Sequence, residues 1–219
     1  MPALLFDLDG TMLDTDAIHR QVFVDMLAPR GIDVTEAFYM ENVHGRLNAD
    51  FFAEWLPDEP DPVGLSNAKE AEFRRRLPRP YPGMPGVAEL VGRASAAGWP
   101  MAVVTNAMRP NAEAMLDAIG LRAHFDVLVI GEECERAKPD PLPYTRAMEI
   151  LGVAPEVAIA FEDSPSGLRA ASASGARTIA VRSALTDAEA RAAGAHASIA
   201  DFKDPSLEDE LRRLTGVTT

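Results

Sequence analysis

Ala3-Leu4-Leu5-Phe6-Asp7-Leu8-Asp9-Gly10-Thr11 is an apolar run that ends in two carboxylates one residue apart. A short apolar run closed by a glycine turn reads as a buried strand. Paired acids at the end of such a strand are electrostatically costly, because like charges repel and desolvation disfavours both ionised forms. A divalent cation relieves that cost, and hard carboxylate oxygens suit Mg²⁺. Taken alone, the segment is equally a turn, since Asp-Gly is a turn dipeptide. It is not an EF-hand loop. Counted from Asp7, the positions that would need glycine and an acid hold Met12 and Ile18.

Beyond this strand, short β-type runs alternate with longer helical segments. The strand candidates are Leu4 to Phe6, Met101 to Thr105, Val127 to Ile130, Val157 to Phe161 and Thr178 to Val181. Between them, apolar residues recur at helical spacing: Val87, Leu90, Val91 and Ala94; Ala112, Met115, Leu116 and Ile119; Tyr144, Ala147, Met148 and Leu151, closed by Gly152. The alternation predicts an α/β fold with a Rossmann-like parallel sheet, and the stripes read as core faces without a functional role. From about Thr15 to Pro80 the periodicity is helical throughout, with Pro78, Pro80 and Pro82 at its end. The expected organisation is a discontinuous core of residues 1–14 and 81–219, with a small all-helical cap, residues 15–80, inserted after the first strand.

The 219 residues, 47% hydrophobic and 25% charged, describe an ordinary globular composition. A formal net charge of −13 opposes unspecific binding to nucleic acid or an anionic membrane, so neither is expected as a partner. Cys134 is the only cysteine, which excludes an intrachain disulfide and a Cys-rich zinc site. With no basic-then-apolar leader and no membrane-length apolar run, the expected setting is cytoplasmic, and the expected state a monomer or weak homodimer.

Three further segments end predicted strands in chemically loaded residues. Val103-Val104-Thr105-Asn106-Ala107 presents a hydroxyl and an amide that suit a phosphoryl oxygen, or else cap a helix. Lys138-Pro139-Asp140-Pro141 places a lysine just before a helix, as a fixed point charge or a solvated surface residue. Ile159-Ala160-Phe161-Glu162-Asp163-Ser164-Pro165-Ser166-Gly167 again ends a strand in paired acids, with Ser-Pro opening a helix. If one sheet gathers these ends, Asp7, Asp9, Glu162 and Asp163 form a carboxylate cluster that needs a metal and a lysine.

The four segments, in this order, resemble the motifs of the haloacid dehalogenase-like (HAD) superfamily of phosphotransferases, over nearly the whole chain. The Glu-Asp-Ser-Pro-Ser-Gly form resembles its β-phosphoglucomutase-like and sugar-phosphatase branch. The resemblance implies that Asp7 attacks phosphorus and that Asp9 is the general acid and base. It implies that Thr105, Asn106 and Lys138 bind the phosphoryl group. Mg²⁺ would be held by the Asp7 side chain, the Asp9 carbonyl, Asp163, and Glu162 directly or through water. Asp9 disfavours relatives that carry Tyr or Ala there and cleave carbon–halogen or carbon–phosphorus bonds. In the cap, His19 stands where those enzymes have a histidine linked to the general acid. Arg46 resembles an arginine used on the distal part of the substrate, where its fork would suit a second phosphate or a carboxylate. Lys69 is a weaker candidate of the same kind, and reads more readily as a solvated helix residue. The function expected is a Mg²⁺-dependent phosphatase of a small phosphorylated metabolite, a sugar or polyol phosphate, acting through an aspartyl-phosphate. A phosphomutase and a non-catalytic metabolite-binding module are the alternatives.

Overall fold

A computed structural model describes residues 2–43, 46–183 and 185–215. In chain order its elements are β1 (Ala3–Phe6), α1 (Asp16–Leu27), α2 (Glu36–Asn42), α3 (Asn48–Trp55), α4 (Pro62–Arg76), α5 (Val87–Ala96), β2 (Met101–Thr105), α6 (Arg109–Ala118) and β3 (Val127–Ile130). There follow α7 (Leu142–Leu151), β4 (Ala158–Glu162), α8 (Pro165–Ala173), β5 (Arg177–Val181), α9 (Asp187–Ala192), β6 (Ala197–Ile199) and α10 (Ser206–Thr215). The chain divides into two compact units, Met1–Asp14 with Arg79–Thr219, and Thr15–Pro78.

The first unit is an α/β fold built on one six-stranded sheet, ordered β3-β2-β1-β4-β5-β6. Every pairing is parallel. Strands buried on both faces can be continuously apolar, which is why Ala3–Phe6 and Met101–Thr105 show no polar alternation. Under α7 and α8, one face packs Ala3, Leu5, Ala102, Val104, Ala158 and Ala160 against Tyr144, Ala147, Met148, Ala170 and Ala171. Alternate positions carry the other face, where Phe6 stacks on Phe161 at 5.1 Å and Phe125 and Phe202 close around the pair. Gly152 ends α7 in the left-handed conformation, at φ 66°. The sheet includes one strand absent from the sequence reading, β6, and β4 begins at Ala158 because Val157 closes a 3₁₀ turn from Pro155.

Strand order reverses around β1, whose neighbours are β2 on one side and β4 on the other. Open parallel sheets bind ligands at such a switch point, beyond the carboxyl ends of the strands. Register sharpens the location. Phe6 pairs with Val103 and with Phe161, so the next residues along the three strands, Val104, Asp7 and Glu162, form one row across the sheet.

The second unit holds α1 to α4 and no strand among its described residues. Phe23, Leu27, Val34, Tyr39, Val43, Phe51 and Phe52 form its core, with Phe23 meeting Phe51 edge to face at 5.4 Å. Asp61 caps α4 by accepting the Gly64 N–H at 2.8 Å, with Pro62 at the first helical position. Among the described residues, no helix is long and apolar enough to cross a membrane.

Candidate active site

Asp7 follows β1, and its N–H extends the ladder by donating to the Phe161 carbonyl at 2.9 Å. That bond holds the aspartate beside Glu162, the last residue of β4. The chain then turns sharply, with the Leu8 carbonyl accepting from Met12 N–H at 2.7 Å and Gly10 N–H donating to Leu13 at 2.7 Å. Gly10 has φ +82°, and a Cβ there would lie 2.1 Å from Asp163 Oδ2. Glycine is required on both counts.

Lys138 completes the row. Its Nζ donates to Asp7 Oδ1 at 2.6 Å, to Glu162 Oε1 at 2.6 Å and to the Val104 carbonyl at 2.7 Å. An ammonium has three N–H groups, so each is engaged. The Lys138 backbone is held as well. The Asn106 side-chain oxygen accepts the Lys138 N–H at 3.3 Å, and the Asn106 amide nitrogen donates to the Lys138 carbonyl at 3.4 Å.

Glu162 is completely buried, and protein donors meet both its oxygens. Oε1 takes Lys138 and the Tyr144 hydroxyl, the latter at 2.8 Å. Oε2 accepts from the N–H groups of Asp163 and Ser164 and from the Ser164 hydroxyl, at 3.1 to 3.3 Å. Gly167 makes room for this carboxylate, since a Cβ there would fall 1.8 Å from Oε1. Ser164 also caps α8, its Oγ accepting the Gly167 N–H at 3.1 Å. Asp163 accepts from Thr11 on one oxygen, at 3.3 Å, and from the Ser183 hydroxyl on the other, at 3.0 Å.

Side-chain oxygens of Asp7, Glu162 and Asp163 lie within 4.8 Å of one another. Desolvation pushes Asp7 up to about 7 despite the opposing charge of Lys138, with Glu162 adding repulsion. Asp163 is raised well above the usual carboxylate range by burial and by the charges of Asp7 and Glu162. Burial disfavours the Lys138 charge, but Asp7 and Glu162 more than offset it and hold the lysine above its ordinary value. Three facing carboxylates with one ammonium among them fit a hard divalent cation, and an all-oxygen donor set suits Mg²⁺. Half-buried Asp9 is outside this triad of side chains, although its charge still raises Asp7. Thr105 ends β2 nearly buried, and its Oγ1 accepts the Ala107 N–H at 3.1 Å. Its own O–H is then the group it can donate.

Residues 4–181 match the family model described as haloacid dehalogenase-like hydrolase. The chain belongs to that family. Among relatives of this HAD hydrolase, Protein CbbY of Rhodobacter capsulatus is 32% identical over 219 residues, covering 94% of each chain. Fructose-1-phosphate phosphatase YqaB of Escherichia coli is 32% identical, over 82% of this chain and 95% of its own. A crystal structure of mutant CbbY from Rhodobacter sphaeroides with xylulose-(1,5)bisphosphate superposes with a TM-score of 0.78 at 32% identity, over 92% of this chain and 95% of the other. The HAD hydrolase is thus an enzyme of the phosphoric monoester hydrolase class, in the branch of CbbY and the sugar phosphatases.

Within the helical unit, His19 and Arg46 lie in different surroundings. His19 stacks on Phe73 at 3.9 Å between centroids, and its Nδ1 is 2.5 Å from Lys69 Nζ. Lys69 is not the solvated residue expected from the sequence. Only 2% exposed, it pairs with Glu70 at 2.9 Å and lies 5.0 Å from the Phe23 ring. Glu70 in turn accepts from Asn48 at 2.5 Å. Arg46 pairs with Glu54 at 2.7 Å and donates to the Asn42 carbonyl at 3.3 Å. Around the carboxylates, the sequence reading missed the contacts of Thr11, Ser183 and Tyr144. Thr11 was within reach as the residue directly after the Gly10 turn, whereas nothing around Ser183 sets it apart.

Proposed function

We propose that this HAD hydrolase is a Mg²⁺-dependent phosphatase of small phosphorylated carbohydrates, sugar or polyol phosphates, working through an aspartyl-phosphate on Asp7. One observation carries the reading. Asp7 is aligned by Lys138 at the head of the carboxylate triad, while the Asp9 side chain lies outside that triad and in this reading carries the proton. Mg²⁺, held by Asp7, Asp163 and the Asp9 carbonyl with Glu162 beside them, would neutralise charge shared between Asp7 and the phosphoryl oxygens.

The rest is the work of this chain's own groups. A carboxylate oxygen of Asp7 forms the new bond to phosphorus as the ester P–O bond breaks, and Asp9 hands its proton to the leaving alcohol oxygen. Asp9 then takes a proton from water as that water attacks phosphorus, which frees Asp7 and inorganic phosphate. The Thr105 hydroxyl and the backbone N–H groups beyond β2 receive phosphoryl oxygens, and Lys138 offsets the negative charge gathered at Asp7. The helical unit, residues 15–78, selects the substrate, with His19, braced by Phe73 and Lys69, and Arg46 as its contributors. Names of relatives support the substrate class: YqaB is a fructose-1-phosphate phosphatase, and CbbY was crystallised with a ketose bisphosphate. The setting in this reading is cytoplasmic.

The decisive experiment incubates the enzyme and Mg²⁺ with sugar, polyol, glycolate and nucleotide phosphates and measures phosphate release. Release from sugar or polyol phosphates, abolished by EDTA, is expected. Isomerisation of glucose 1-phosphate without release would replace the phosphatase with a phosphomutase.

A further inference from the structure

Tyr144 belongs to the apolar stripe of α7, where an aromatic ring ordinarily needs only space. Its hydroxyl, however, donates to Glu162 Oε1 at 2.8 Å, the oxygen that also receives Lys138 Nζ at 2.6 Å. Its ring centroid lies 5.1 Å from the same Nζ, in range of a cation–π contact. Tyr144 and Glu162 are both fully buried. One side chain therefore touches both members of the ion pair, by its hydroxyl and by its π face. Oε2 of Glu162 is already bound by Asp163 and Ser164, so the second oxygen fixes how the carboxylate is turned. Without the phenol, the group that orients Oε1 would be Lys138, the group it must itself orient.

We propose that Tyr144 is a positioning residue that locks the Glu162 carboxylate and thereby sets Lys138 against Asp7 for phosphoryl transfer. Its effect on rate rests on the phosphatase reading above; its effect on the lysine does not. Tyr144→Phe keeps the ring and the packing and deletes one hydroxyl. Its melting temperature is expected within about 2 °C of wild type. The value of kcat falls about tenfold, with KM and inhibition by inorganic phosphate within about twofold. The chain has three lysines, so ¹⁵N-lysine labelling yields three ammonium signals, and that of Lys138 is identified by its loss in Lys138→Arg. Tyr144→Phe is expected to move this signal. Met148→Ala, one turn along the same helix face, is expected to lower the melting temperature and leave kcat alone.

An unchanged kcat with an unmoved Lys138 signal overturns the proposal. So does a loss of kcat in Met148→Ala equal to that in Tyr144→Phe, since packing alone would then explain both. Should Tyr144→Phe not fold, 3-fluorotyrosine incorporation alters hydroxyl acidity with the ring in place, and an unmoved Lys138 signal again overturns it. If the wild-type enzyme hydrolyses no phosphate ester yet Tyr144→Phe moves the signal, the positioning role stands and the phosphatase reading falls.

Discussion

Asn106 grips Lys138 by the main chain, its side-chain amide accepting the lysine N–H and donating to the lysine carbonyl. Gly131 gives that amide room, because a Cβ there would lie 2.3 Å from Asn106 Oδ1. Removing the amide leaves the Lys138 backbone without this tie. Asn106→Ala is expected to lower kcat about tenfold, the scale of lost hydrogen bonds near a charged group. Steady-state kinetics check it. A rise in KM with kcat untouched would instead make Asn106 a direct phosphate ligand.

Gly167 tests whether the buried carboxylate is as rigidly seated as its bonds imply. A methyl group at this position collides with both Glu162 oxygens. Gly167→Ala should destabilise the protein by about 1–3 kcal/mol through overpacking. Activity should fall with it, because the carboxylate that yields is bonded to Lys138. Thermal melting alongside kinetics decides the matter, and a fully stable, fully active variant would mean that α8 moves freely.

Asp7 and Asp9 should fail differently. Asp7→Asn removes the proposed nucleophile and is expected to abolish turnover of an aryl phosphate to below about one part in a thousand. Asp9→Asn keeps its carbonyl, so Mn²⁺ affinity followed by electron paramagnetic resonance should be retained, while kcat drops by about 10²–10⁴. An unimpaired Asp9→Asn enzyme would mean that a different acid protonates the leaving group.

The carboxylate triad predicts a pH dependence of stability. Asp7 is raised from 3.8 to about 7, and Asp163 also lies well above its ordinary value. Between these values and the unfolded ones, the native chain holds more protons than the unfolded chain, so stability falls as pH rises. In EDTA, the melting temperature should decline from about pH 5 to about pH 8. Mg²⁺ should restore it most at the upper end, where the carboxylates are ionised. Carboxylates held below their ordinary values, such as exposed Asp25 and half-buried Glu72, act only in more acidic solution. Calorimetry that found a flat or rising profile in EDTA would contradict the triad's electrostatics.

The sheet was legible where dense apolar runs end in acids or hydroxyls, because a strand buried on both faces leaves a continuous signature. Ala197-Ser198-Ile199 leaves none. It is a strand through pairing with β5, a relationship no local pattern contains. The triad was legible because paired acids after a buried run demand compensation. Lys69 was misread for the opposite reason. Its helix carries many charges, and only the fold brings Phe23 and His19 against it. Tyr144 was hidden by its own stripe, since helical spacing places the ring in the core but is silent about the hydroxyl.

Lys138 has three hydrogens and three protein oxygens already holding them. A phosphoryl oxygen can recruit this ammonium only by exchange, with one existing bond released for each one made. On the proposed mechanism, such a trade would weaken the hold of Lys138 on a phosphate dianion, including the free phosphate left when the reaction is over. In that mechanism, the lysine that aims Asp7 is therefore expected to let its own product go readily.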